Sequence, residues 1–130
     1  MPRAVPGEPV GSGGDVRVRL ARDGIRGVHT AIFLAELGAI LWLVATGLTG
    51  RRDRSVRLAA LAVTAEAAVF IANRGVCPLT PMAERFGATR GSVSDIFLPD
   101  VVARTIPIWS SALLVIAVSL HVRSLLAGRR

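Results

Sequence analysis

Three long apolar stretches alternate with arginine-containing polar gaps along this chain. They cover residues 28–48, 56–73 and 107–126. At a rise of ~1.5 Å per residue, a helix of about 20 residues crosses the ~30 Å hydrocarbon layer of a bilayer. The pattern therefore predicts an all-α integral membrane protein with three transmembrane helices.

The segment before the first span divides into two parts. Residues 1–15 are rich in proline and glycine, so we expect a disordered tail ahead of a single domain of residues 16–130. Residues 16–27 are basic, and on a helix they would place Arg19, Arg22 and Arg26 on one face. They predict either a short interfacial helix that attracts anionic lipid or an irregular, solvated linker.

The two connections between the spans carry capping signals. Ser55, after the charged turn that follows the first span, is expected to cap the second helix. Thr80 followed by Pro81 predicts the start of a short helix in the longer second connection. We therefore expect an ordered loop that folds back over the bundle near His29. A further short helix from Asp100 is expected to end at Pro107, where the third span begins.

The chain carries a high positive charge, and the positions of its arginines indicate the kind of partner better than the net charge does. The net charge is +7, and all sixteen basic residues are arginine. A strongly basic protein suggests nucleic acid, but these arginines lie in the gaps between apolar runs, where charge orients membrane segments. We therefore expect the lipid bilayer, and no nucleic acid, as the partner. Eight arginines near the membrane fall on one side and seven on the other, so charge does not assign the orientation.

Four polar residues inside the first two spans form a candidate polar seam. His29 and Glu36 are seven residues apart, as are Glu66 and Asn73, so each pair shares a helix face. Counted from the charged turn, Glu36 and Glu66 differ in depth by only ~3 Å. Because charged groups inside lipid normally face protein or water, we expect Glu36 to face Glu66 and His29 to face Asn73.

Two interpretations of this seam remain open. Neighbouring carboxyls in a bilayer share a proton, because both cannot ionise cheaply, so the seam predicts a proton-linked site or a polar pocket. Alternatively, its residues form interhelical hydrogen bonds that hold the first two helices together, which is the interpretation we prefer. A haem held between the chain's two histidines is excluded, since His29 and His121 differ in depth by roughly 20 Å.

The sequence contains few signs of disulfides, metal sites or known catalytic motifs. The single cysteine rules out an internal disulfide framework and a cysteine-based metal cluster. The sequence has no Walker loop, dinucleotide fingerprint, zincin motif or serine-centred elbow. We therefore expect neither a cofactor nor a metal, and we treat enzymatic activity as the less favoured alternative.

The run Cys77-Pro78-Leu79-Thr80 at the exit of the second span is the most distinctive motif. With Glu84 after it and His29 in the first span, it resembles the signature of a family of small uncharacterised bacterial membrane proteins. The resemblance covers residues 29–84, and this chain departs from the pattern by one residue before Glu84. It implies a helical, multi-pass protein of the bacterial inner membrane and no particular activity.

These observations predict a non-enzymatic accessory or interaction subunit. Its partner would be a membrane protein, a lipid or a second copy of the chain. The alternative is a small membrane enzyme or carrier that uses the polar seam with a hydrophobic substrate such as a quinone.

Overall fold

The computed structural model describes residues 12–86 and 97–128. Four helices occupy them: α1 (Ser12–Thr49), α2 (Arg54–Ala72), α3 (Leu79–Arg85) and α4 (Asp100–Ala127). The described residues contain no strand. Helices α1, α2 and α4 are each long and apolar enough to cross a membrane. The prediction of an all-α protein with three spanning helices is therefore confirmed.

Helix α1 is longer than the sequence pattern indicated. Its 38 residues join the basic N-terminal segment to the first span without a break. The segment is therefore helical, as one of the two alternatives predicted, and is continuous with the membrane span. The helix also includes Ser12–Asp15, so the expectation that these residues belong to the disordered tail was wrong. Residues 1–11 of that tail lie outside the described part of the chain.

The turn between α1 and α2 is fixed by a carboxylate that the sequence analysis passed over. The side chain of Asp53 accepts hydrogen bonds from the backbone N–H groups of Ser55 (2.9 Å) and Val56 (3.3 Å). The N-cap is thus Asp53, and the prediction of Ser55 was wrong. A carboxylate at this position reaches two otherwise unpaired N–H groups of the first turn. Hydrogen bonds from the Ser55 hydroxyl and from Arg51 lower the pKa of Asp53 to about 2.

The apolar core runs along α1. Its most buried members are Ile40 and Leu43 from α1, Val56 and Val63 from α2, and Ala117 from α4. Along each long helix the inward positions follow alternating steps of three and four residues, the spacing of helices that pack at a shallow angle. Both α2 and α4 pack on α1, and within residues 12–86 and 97–128 they make no close contact with each other. Helix α1 is therefore the centre of the assembly.

Helix α4 is continuous from Asp100 to Ala127, with Pro107 inside it. The short helix and the third span that we expected to meet at Pro107 are therefore one element. Proline has no N–H, so the carbonyl of Ala103 lacks its usual partner one turn later. Membrane helices tolerate this, because neighbouring groups and local adjustment satisfy the freed carbonyl. Ala103 is 1% exposed, which places this part of the helix firmly against its neighbours.

Candidate functional site

Glu36 lies on α1 and Glu66 lies on α2, the helix that packs beside it. Both side chains are partly buried, and they are close enough for their charges to interact. Both lie one helical turn from a core residue: Glu36 is four residues before Ile40 on α1, and Glu66 is three residues after Val63 on α2. Two carboxyl groups are thus held near one another about midway along the membrane-spanning part of α1.

The other expected pair, His29 with Asn73, does not form a hydrogen bond. Asn73 is exposed, and its side-chain amide donates to the backbone carbonyl of Val76 at 2.6 Å. It is the C-cap residue of α2, and the turn after it is closed by N–H bonds from Gly75 to Phe70 O (2.8 Å) and from Arg74 to Ile71 O (3.1 Å). Such a paired closure satisfies the last carbonyls of a helix. Asn73 therefore serves the helix end, and the expectation that it joins His29 was wrong.

The Cys-Pro-Leu-Thr segment leads into α3, which packs against α1. Cys77 is a partly buried free thiol, and its carbonyl accepts the Thr80 N–H at 3.0 Å. Pro78 is exposed, whereas Leu79, Thr80 and Glu84 are partly buried. The motif thus forms the entry to a short helix on the surface of α1. The helix begins at Leu79, so Thr80 lies inside its first turn and the prediction that Thr80 caps it was wrong, whereas Pro81 lies in the first turn as predicted.

The chain returns to α1 at the level of His29. The Phe97 N–H donates to the Thr30 hydroxyl at 3.0 Å, and the guanidinium of Arg26 lies 4.5 Å from the centroid of the Phe97 ring. A cation over an aromatic face is attracted by the ring quadrupole. Since His29 lies between Arg26 and Thr30 in α1, the end of the loop reaches the part of the bundle where we expected it. Residues 87–96 of the loop lie outside the described structure.

The opposite end of the bundle holds a polar contact that the sequence analysis missed. His121 of α4 places Nε2 2.9 Å from the carbonyl of Leu43 and 3.5 Å from the hydroxyl of Thr46. Because a carbonyl only accepts, Nε2 carries the proton that is donated to Leu43. Thr46 is 2% exposed, and its own hydroxyl donates to Trp42 O at 2.7 Å. The only sequence signal was a threonine followed by a glycine, Gly47, within the apolar span.

The contact between His121 and Leu43 supports the exclusion of a haem shared between His29 and His121. His121 lies level with Leu43, which is fourteen residues from His29 along α1, or about 21 Å. One haem iron cannot be ligated by both side chains of a single chain at that separation. Among residues 12–86 and 97–128, no three His, Cys, Asp or Glu side chains are grouped to hold a metal ion.

Beside His121, the turn between α1 and α2 is tied to the end of α4. Arg52 donates through Nη2 to the carbonyl of Ser124 and, at 3.1 Å, to its hydroxyl. A guanidinium here balances the partial negative charge of a helix C-terminus. The C-terminal ends of α1 and α4 therefore lie on the same side of the membrane.

Comparison of the chain with protein families, curated proteins and solved structures finds no match. The chemistry and geometry of the described residues are therefore the grounds on which a function rests. They offer a carboxyl pair between α1 and α2, a surface helix that carries the Cys-Pro-Leu-Thr motif, and a polar crossing between α1 and α4.

Proposed function

We propose that this protein is a non-enzymatic accessory or interaction subunit of the bacterial inner membrane, and that it binds a further membrane helix. The observation that supports this is the incomplete burial of Glu36 and Glu66. Carboxyl groups at mid-membrane depth face protein or water rather than lipid, because an exposed charge in hydrocarbon is costly. The chain's own helices cover these two groups only in part.

The packing of the three spans leaves room for such a partner. Val56 and Val63 are the only buried side chains of α2 within the described residues, and α2 has no close contact with α4. A helix from a second copy or from another membrane protein would cover the carboxyl pair and offer hydrogen bonds to it. In lipid, helix association depends on close packing and on such polar contacts.

The test compares two leucine substitutions in α2. Glu66→Leu removes one carboxyl of the pair, whereas Ala65→Leu adds the same side chain at the adjacent, exposed position. Light scattering after size exclusion in mild detergent measures the mass of the protein component. We expect the natural chain and Ala65→Leu to run as a stoichiometric oligomer or complex, and Glu66→Leu to run as a monomer. A natural chain that is folded and monomeric, with no protein bound, would contradict the proposal.

The alternative is a small membrane enzyme or carrier for a hydrophobic substrate such as a quinone. The closeness of Glu36 and Glu66 supports it, because two neighbouring carboxyls can share a proton. Asn73 takes no part in that site, since its amide is engaged at the end of α2. Extraction of the purified protein with organic solvent distinguishes the two. A quinone present at one per chain, and lost in Glu36→Gln, would favour the enzyme or carrier over the interaction subunit.

A further inference from the structure

Two clefts meet at the C-terminal end of α4. The first, of about 330 Å³, lies between the ends of α1 and α4 and is lined in part by Gly50, Leu120 and Ser124. The second, of about 570 Å³, runs along α4 itself and is lined mainly by apolar side chains such as Val122 and Leu126. Arg123 and Ala127 line both clefts. A cationic side chain thus stands between two grooves at the level where the spans end.

The charges around Arg123 favour an anion. Arg123 is exposed, and no acidic side chain of residues 12–86 or 97–128 forms an ion pair with it. The carbonyl groups at the end of α4 would repel an anion, but the guanidinium of Arg52 already binds the Ser124 carbonyl. The acidic residue of the turn between α1 and α2, Asp53, is engaged by Arg51 and by the backbone of α2. The site is therefore positive and open.

We propose that Arg123 binds the phosphate of an anionic phospholipid, whose acyl chains occupy the two clefts on either side. A guanidinium offers two parallel N–H donors that match phosphate oxygens. The end of α4 lies at the depth of the headgroups, so the phosphate and the chains of one lipid reach the arginine and the grooves together. This site lies at the opposite end of the bundle from His29 and is independent of the proposed partner helix.

The experiment measures lipid retention by native mass spectrometry. The full chain in a nonionic detergent is titrated with mixed micelles of phosphatidylglycerol or of phosphatidylcholine. We expect one phosphatidylglycerol per chain, and phosphatidylcholine to bind at least about tenfold more weakly, because it lacks net negative charge. Arg123→Gln should weaken phosphatidylglycerol binding about tenfold, the effect of losing a hydrogen bond to a charged group.

Two further variants make the result specific. Arg104→Gln makes the same change in an exposed residue at the other end of α4, outside both clefts, and should leave binding unchanged. Ala127→Trp fills both clefts without altering charge and should weaken lipid binding. This variant therefore tests the proposed lipid site even if Arg123→Gln fails to fold. Equal binding of the two lipids, equal effects of the two arginine variants, or unchanged binding by Ala127→Trp would overturn the proposal. Displacement of the lipid by millimolar inorganic phosphate would also overturn it, since the site would then bind free anions.

Discussion

Replacing Gly47 with alanine tests whether close approach of α1 and α4 holds the bundle together. A Cβ at this position would lie 2.8 Å from the Cβ of Leu120 and 3.3 Å from Cδ2 of His121. Non-bonded carbon atoms prefer about 3.5–4.0 Å, so the two helices must separate by about 1 Å. The Leu120 Cβ is attached directly to the backbone and cannot rotate away. The helices themselves must therefore move.

Two effects of this movement lower the free energy of unfolding, and the helix propensity of alanine partly offsets them. Overpacking costs about 1–3 kcal/mol, and the His121–Leu43 hydrogen bond, stretched from its 2.9 Å, adds about 0.6 kcal/mol, the mean for interhelical bonds in a membrane. Alanine favours a helix over glycine by about 0.5–1 kcal/mol. We therefore expect Gly47→Ala to lower the free energy of unfolding by about 2 kcal/mol.

The assay is unfolding of the protein in mixed micelles by sodium dodecyl sulfate, followed by tryptophan fluorescence. Trp109 reports on the α1–α4 contact, since its ring packs edge-on against Phe33 with centroids 6.2 Å apart. Gly38→Ala is the matched control, because a Cβ there meets nothing within 4 Å. It should be neutral or slightly stabilising. A Gly47→Ala protein as stable as Gly38→Ala would refute the close approach of the two helices.

Three other predictions concern the turn and the carboxyl pair. The pKa of Asp53, held at about 2 by a neighbouring hydroxyl and a guanidinium, lies below its ordinary 3.8, so its contribution to stability is present above pH 3.8 and lost as the pH falls towards 2. Thermal unfolding across that range should show the loss in the natural chain and not in Asp53→Asn. Cysteines in place of Glu36 and Glu66, in a chain without its native cysteine, should crosslink efficiently, and free labelling of both by lipid-soluble reagents without crosslinking would disprove the pair. Reporter fusions at Arg52 and Arg90 should report opposite sides of the membrane, and the same side for both would contradict the α1–α2 hairpin.

The spans and the depth of the carboxyl pair can be predicted from the sequence because the hydrocarbon layer restricts the backbone conformations that a chain can adopt. A stretch of about 20 apolar residues in hydrocarbon must satisfy its backbone internally, and a helix does so. Once the charged turn fixes the ends of two adjacent helices, the constant rise per residue sets the depth of Glu36 and Glu66. Depth along a helix is therefore readable, whereas rotation about its axis is not.

Two properties were not predicted from the sequence: the rotation of each helix about its axis, and which of several neighbouring polar side chains binds the backbone at a helix end. The contact of His121 with Leu43 depends on which face of α4 meets α1, and no short-range pattern encodes it. Asp53 and Asn73 were misjudged because short polar side chains compete for nearby backbone groups, and either of two neighbours can serve as the cap. The continuity of α1 was missed because the basic segment was divided from the span where the apolar run begins; Gly24 and Gly27 lie inside the helix near that point. Each costs only about 1 kcal/mol relative to alanine, which a helix already formed next to them can sustain.

The length of α1 limits how far the membrane's surface charge acts on it. Its 38 residues extend about 57 Å, so about 27 Å lies beyond the ~30 Å hydrocarbon layer when the helix follows the membrane normal. Mobile ions screen fixed charge within about 8 Å at physiological salt, the rise of about five residues. Counted from Thr49, Arg26 lies about 5 Å beyond the hydrocarbon and Arg22 about 10 Å beyond it, so Arg26 is within that layer of surface potential. Arg22, Arg19 and Arg17 lie outside it. The expected attraction of this basic segment to anionic lipid is thereby confined to the turn nearest the bilayer.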